Sequence, residues 1–483
     1  MKRLSIQRKH SRRLGKKGYW AGYKRGREQG NKLGQASFGK VFEGVSIIIP
    51  SCNQLHQLRA CIHRIEEYTS HPHEIIVVDY GSTDGTRIYL LRKSIAVRYA
   101  LLKKDVHITG SLNQGLMMAK GTTIAILDPQ AMVTPGWLDR LLECLYSDPQ
   151  MGVVGPVTNG PFGEQQIEVP YINKNEACSF ARTYNISNPA AWRETESLNG
   201  FCLLLRREAL KKTGYWDEGC HSGQEAAADW LLRARLLGMR IAIAGDAFIH
   251  YTGSDRDTTH RFLQTTGKSG PLEESSQNRS FFVQKWGDTD KLFNHRESNE
   301  ADSDGQGASI RERHASAASF YPIGALVQGP SGAIFRLERG KRRFLHSMRA
   351  AGDAYVAPVR ISQLDLLALP AISKPEATVS GDAEVPAAVP AEEPLPVLAA
   401  LVPENIPVLH TPAGRMQWIK TLYAEGRQLY QIGSGWKRPF LTSYAAMSWR
   451  AADYQIRLLS PEDLSVLVQE QPIIAPPVLH RHL

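Results

Sequence analysis

Long apolar runs are missing from this chain. Nowhere do 18 apolar residues follow one another, which argues against a membrane-spanning helix. Paired cysteines are missing too. Cys52, Cys61, Cys144, Cys178, Cys202 and Cys220 are scattered with no C-x-x-C pair, which argues against zinc and reads as reduced thiols of a cytoplasmic protein. The amino terminus is basic, but no apolar stretch follows it, so it does not read as a secretory signal. Charge of one sign is also missing from most of the chain. Residues 1–44 hold 13 of the 58 Lys and Arg but two of the 48 Asp and Glu, so the rest carries 45 cationic against 46 acidic residues. The net charge of +10 therefore belongs to the tail, and nucleic acid is not an expected partner of the main body.

What is present starts with that tail. Lys2-Arg3, Arg8-Lys9, Arg12-Arg13 and Lys16-Lys17 precede glycines at every fourth position, Gly18 to Gly34. Each Gly costs a helix roughly 1 kcal/mol against Ala, so the expectation is a mobile basic tail or a dock on an anionic surface. Length allows two to four domains. Residues 45–290 read as a large globular α/β unit. The stretch 291–320 reads as a polar linker, 321–372 as a first small β-module, 373–404 as a Pro/Ala/Glu-rich linker, and 405–472 as a second β-module. The two modules echo each other. Ile334-Phe335-Arg336-Leu337 with Gly340-Lys341-Arg342-Arg343 matches Leu429-Tyr430-Gln431-Ile432 with Gly435-Trp436-Lys437-Arg438, a β-hairpin pattern in each.

In the large unit, short β-branched runs alternate with helical spacing. Val45 to Ile49 ends at Pro50. Glu74 to Val78 delivers Asp79-Tyr80-Gly81-Ser82-Thr83-Asp84-Gly85-Thr86. Thr123 to Leu127 delivers Asp128-Pro129-Gln130. Open α/β sheets bind ligands at such strand ends, and acids there suit a nucleotide with its metal. From spacing alone a second reading stands, in which Asp84 caps a helix and Asp79 closes a turn. Helices are expected at Leu55–Tyr68, from Thr86 to Lys93, and from Asp229 to Leu237, with separate strands at Ile241–Ala244 and Ala247–His250. Thr158 to Glu196 reads as one long irregular loop.

These motifs, with Asn113-Gln114-Gly115, Thr134-Pro135-Gly136-Trp137, Leu198-Asn199-Gly200, Leu232-Arg233-Ala234-Arg235 and Phe248-Ile249-His250, resemble bacterial-type family 2 glycosyltransferases of the GT-A fold. The resemblance implies a Rossmann-like, mostly parallel sheet flanked by helices. It also implies an inverting transfer from a nucleoside-diphosphate sugar to a glycan or protein acceptor, in the cytoplasm or peripherally at a membrane. Donor contacts would come from Pro50, Asp79, Ser82, Asp84, Asp128 and His250. A divalent cation, Mn²⁺ or Mg²⁺, would be held by Asp128 and Gln130. The family's metal motif usually ends in an acid, and an amide at Gln130 brings no charge. The family's acidic pair falls here on Ala226-Ala227, leaving Glu225 and Asp229 as catalytic candidates. The alternative is a binding or scaffold protein that kept the fold and lost turnover.

Overall fold

The computed structural model describes residues 40–93, 97–102, 106–220, 222–253, 281–287, 289, 316–345, 357–372, 417–423, 426–433, 436–451, 456–458, 464–465 and 467–479, with Gly22, Lys24, Arg25 and Glu28. Most of the basic tail before residue 40, most of the first linker and the Pro-rich linker lie outside these residues.

The large unit begins with Phe42–Ser51 (β1), Leu55–Tyr68 (α1), His73–Asp79 (β2), Thr86–Lys93 (α2), Arg98–Leu101 (β3), Ile108–Met118 (α3) and Gly121–Leu127 (β4). Ala131–Met132 (β5), Trp137–Tyr146 (α4), Met151–Val157 (β6), Ala177–Tyr184 (α5), Trp192–Glu194 (β7) and Cys202–Arg206 (β8) follow. Arg207–Thr213 (α6), Gly223–Leu236 (α7), Arg240–Phe248 (β9), His250–Tyr251 (β10) and Phe281–Trp286 (α8) complete it. The main sheet runs β3-β2-β1-β4-β8-β6-β9-β7. The pairings make β1, β2, β3, β4, β6 and β9 run one way, with β7 and β8 opposed. This is the mixed, mostly parallel sheet between helical layers that was expected.

Strands buried on both faces need apolar residues at consecutive positions, and period-two alternation then divides them between two cores. Val45, Ile47 and Ile49 pack with Ile62, Ile65, Trp137 and Leu141 under α1 and α4. Ile48, Ile76 and Val78 pack with Leu112, Leu116, Trp216 and Trp230 under α3 and α7.

Three sequence expectations need correction. α7 starts at Gly223, six residues before Asp229, because Ser222 Oγ accepts from Glu225 N and caps it there. The two strands expected around residue 245 form one, β9, with a register shift. The stretch 158–196 holds α5 and β7 besides its turns.

The carboxyl-side part contains two small sheets. Leu326–Gln328 (β11), Ile334–Glu338 (β12), Lys341–Leu345 (β13) and Val359–Arg360 (β14) order as β13-β12-β11-β14. Gln417–Tyr423 (β15), Gly426–Gly433 (β16), Trp436–Pro439 (β17), Ile456–Leu458 (β18) and Val468–Gln469 (β19) order as β18-β15-β16-β17-β19. In each, two antiparallel pairings are followed by a parallel strand on the same side. The first hairpin turns through Gly340 at φ 69°, a conformation that suits glycine. A third core joins this region to the large unit, with Leu232 and Leu236 of α7 and Trp286 of α8 against Phe320, Phe440, Trp449 and Ile473. Phe320, counted with the first linker by composition, and Ile473, beyond the expected end of the second module, are both buried in it.

Candidate active site

The carboxyl edge of the parallel strands is where the polar residues collect. Ser51 pairs in register with Asp79, and β1 separates β2 from β4, so Asp79 and Asp128 stand two strand spacings apart, about 10 Å. Pro50, opposite Val78, leads into a loop tied to the next one. Asn53, at φ 55°, donates its N–H to Ser82 Oγ (2.8 Å), and its Oδ1 accepts Thr83 N (2.7 Å). Asp84 caps both neighbouring helices, Oδ2 accepting Leu55 N (2.8 Å) and Oδ1 accepting Thr86 N (3.1 Å). The cap reading of Asp84 is therefore the one its contacts describe. Burial would raise its carboxyl, but the donors from Thr86 and Leu55 hold it below the usual value. Burial raises Asp79, with Ser82 opposing.

Asp128 is almost fully buried, and this pushes its carboxyl up to about 6 against the one backbone donor it has, Gln130 N at 2.7 Å. Gln130 is 4% exposed. Its carbonyl accepts both Thr252 N (3.0 Å) and Thr252 Oγ1 (2.9 Å), so the segment after β10 folds over it. A Cβ on Gly253 would lie 2.7 Å from Gln130 Oε1, and Gln130 Nε2 is buried with no partner. β10 pairs with β5 and puts His250 opposite Met132, four residues from Asp128. Tyr171 Oη lies 2.8 Å from His250 Nδ1. Burial, then the charges of Lys174 and Arg64, push His250 down to about 4, so its ring is neutral near pH 7.

Among the described residues no three His, Cys, Asp or Glu side chains converge as a metal-holding group. Asp128 keeps one carboxylate oxygen free of hydrogen bonds there, and the Gln130 amide is turned into protein. This donor set fits a hard cation that arrives with a diphosphate, whose oxygens complete its coordination, and not a self-sufficient metal centre.

Helix N-termini reach the same edge. The far end of α3 meets the amino halves of the strands, where Lys120 N donates to Glu74 Oε1 (2.7 Å), so its first turns lie at the carboxyl edge. Met239, just after α7, lies against Gly152 at the start of β6, so α7 also begins at the carboxyl edge. Glu225, in the first turn of α7, is half-buried and has no ion pair among the described residues. Asp229 is one turn further and fully buried. Its Oδ2 accepts Arg233 Nε (3.0 Å) and an Arg233 terminal nitrogen (2.8 Å), while Oδ1 accepts Lys285 Nζ (2.6 Å) and Trp286 Nε1 (2.9 Å). Burial alone would raise this carboxyl, yet Lys285 and Arg233 hold it below its ordinary value.

Two asparagines shape this edge through contacts that their sequence setting does not announce. Asn113 Oδ1 accepts Trp216 N (2.9 Å), and its Nδ2 donates to Trp216 O (2.9 Å) and Glu218 Oε1 (3.0 Å). Asn159 does the same for Tyr251, its Nδ2 donating to the carbonyl (3.1 Å) and its Oδ1 accepting the N–H (2.8 Å). Asparagine quoted in a motif or lying in a loop announces a turn as readily as a strut. Trp137 and Trp216 are both fully buried.

A mostly parallel sheet with acids at the ends of strands on either side of β1 has the architecture of open α/β proteins, which bind ligands at that edge. The family model of glycosyl transferase family 2 matches residues 46–214. The chain is similar to a poly-beta-1,6-N-acetyl-D-glucosamine synthase of Staphylococcus epidermidis, 22% identical over 192 residues, which are 39% of this chain and 46% of the relative. It is also similar to glycosyltransferase AglE of Haloferax volcanii, 25% identical over 211 residues, 42% of this chain and 64% of that one. The chain spans about half to two-thirds of the length of these relatives. Among solved structures, a mannosyltransferase from Pyrobaculum calidifontis in complex with GDP-Man and Mn²⁺ matches at 21% identity and TM-score 0.34, over 44% of this chain and 59% of that one. Staphylococcus aureus TarS 1–349 in complex with UDP-GlcNAc matches at 15% identity and TM-score 0.34, over 47% and 62%.

Proposed function

We propose that this chain transfers a sugar from a nucleoside-diphosphate sugar to a glycan or protein acceptor with inversion at the anomeric carbon. The observation that carries the proposal is the pair Asp79 and Asp128 on strand ends either side of β1, with the two intervening loops tied together by Asn53, Ser82 and Asp84. Asp79 and Ser82 receive the base or ribose, and Asp128 faces the diphosphate, with neutral His250 beside it. A divalent cation bound with the donor would neutralise phosphate charge as the leaving group forms. Glu225 is the catalytic base, since Asp229 is engaged on both oxygens. The acceptor oxygen bonds to the anomeric carbon as its proton passes to Glu225 and the bond to phosphate oxygen breaks, releasing the nucleoside diphosphate. We place the enzyme in the cytoplasm or peripherally at a membrane, the basic tail meeting an anionic surface. Among the described residues no helix is long and apolar enough to cross a bilayer.

The test is nucleotide release from a panel of nucleotide sugars with Mn²⁺. Wild type should turn over one donor, while Asp128→Ala and Glu225→Gln should not. A second reading, a glycan-binding scaffold on a silent transferase fold, draws on Ala226-Ala227 and the covered Gln130 amide. Nucleotide binding without release, unchanged by Glu225→Gln, would establish that reading instead.

A further inference from the structure

The turn after α6, residues 214–220, is gripped from two directions. From the sheet side, Asn113 holds Trp216 and Glu218, and Arg233 reaches Thr213 O (2.6 Å) and Tyr215 O (2.9 Å). From the other side comes the carboxyl-terminal segment. It leaves the second small sheet through Ile473, whose N–H donates to Pro439 O (2.7 Å), and Ile474, whose carbonyl accepts Trp449 Nε1 (2.8 Å). It then crosses to the large unit. Val478 N donates to Asp217 Oδ1 (3.0 Å), Val478 O accepts Glu218 N (2.9 Å), and Leu479 packs on the core that holds Trp216.

Asp217 is the hub of this arrangement. It is fully buried, with Oδ1 also accepting Gly219 N (2.8 Å) and Oδ2 accepting Lys285 Nζ (2.7 Å). Lys285 ties the same point to Asp229 in α7 and, through its carbonyl, to Thr442 Oγ1 at the start of the helix Ser443–Ser448 (3.1 Å). The turn so fixed leads directly into the α7 cap that carries Glu225. None of these hydrogen bonds ends on Asp79 or Asp84.

We propose that the Val478 peptide and Asp217 are positioning residues for the acceptor half of the site, acting through the 214–220 turn on Glu225, while the donor half is independent of them. This rests on the glycosyltransferase reading for its chemical meaning. Its structural content stands apart: Val478 is bonded to the turn that precedes α7. A displacement on the scale of one ångström at a base is enough to cost a large share of the rate.

The test uses full-length Val478→Pro, which deletes one N–H next to an existing proline, and Asp217→Asn, which keeps an acceptor for Val478 but removes the charge facing Lys285. Amide hydrogen exchange should quicken across 214–220 and the first turn of α7 by about tenfold, with residues 50–55, 79–86 and 128–132 unchanged. Titration with UDP and GDP plus Mn²⁺ should give wild-type affinity, and kcat should fall about tenfold at constant donor KM. Exchange that stays at the wild-type rate, or rises evenly along the chain, would overturn the proposal, as would unchanged kcat in a loosened turn. Should wild type bind neither nucleotide, the glycosyltransferase reading is lost, and the exchange pattern alone decides whether the carboxyl terminus holds the turn.

Discussion

Asp128 and Asp229 are both buried carboxylates at one sheet edge, and their surroundings send them in opposite directions. Asp128 has one backbone donor and no cation, so its carboxyl rises to about 6. The protonated form carries no charge to offer a cation. Nucleotide binding in the presence of Mn²⁺ should therefore be flat above pH 7 and weaken as pH drops through 6, by about tenfold per unit below it. Asp128→Asn should abolish that pH dependence, and calorimetric titration between pH 5 and 8 checks both. Asp229 is surrounded by Arg233, Lys285 and Trp286, and its substitution by Ala would strand the buried Arg233 and leave Lys285 with Asp217 alone. The expected loss is about 3–5 kcal/mol in chemical denaturation. Glu225→Gln should leave stability within about 0.5 kcal/mol. If instead the two variants lose activity at equal, wild-type stability, Asp229 is the better base. Sequence placed both acids near the right helix but could not separate them, because the partner that engages Asp229 comes 56 residues later.

Elements were legible where a period repeats and illegible where one cap decides. The strands β1, β2 and β4 are continuous β-branched runs, and α1 repeats apolar residues on one face. All were readable to within a few residues. α7 was not, because Gly223-Gln224-Glu225-Ala226-Ala227-Ala228 has no apolar rhythm. Its start is written in Ser222 and Glu225, the S-x-x-E spacing of a capping box. Contact between elements was equally hidden. Gly115 in α3 reads as part of a motif, yet its place in the fold comes from packing: an added Cβ would lie 2.4 Å from Ile48 Cγ2 in β1. Gly115→Ala should thus push α3 off the sheet at a cost of about 1–3 kcal/mol, against the gain that alanine brings an isolated helix. Urea unfolding measures the sign directly, and stabilisation would contradict the close α3–β1 approach.

At the scale of the whole molecule, composition divides the chain into a catalytic unit and two tethered modules, but the packing joins them. The hairpin periodicity of each module was visible, since it is local. Their attachment was not, because its buried residues come from α7, α8, the end of the first linker, the second module and the residues just beyond its expected end. Trp449 is the test of this union. It is 2% exposed, donates to Ile474 O and lies 4.9 Å from the Tyr321 ring, in the same core as Leu232 and Leu236. Removing the indole should cost about 3–5 kcal/mol. If the core is shared, that cost falls on the catalytic unit as well. Scanning calorimetry should then show wild type unfolding in one main transition, and Trp449→Ala should shift that whole transition downward, with near-ultraviolet ellipticity and nucleotide-binding loss following the same curve. A tethered module would behave differently. The substitution would split off an early, small transition and leave the melting of the nucleotide site where it was, and that result would return the carboxyl-side sheets to the status of independent modules.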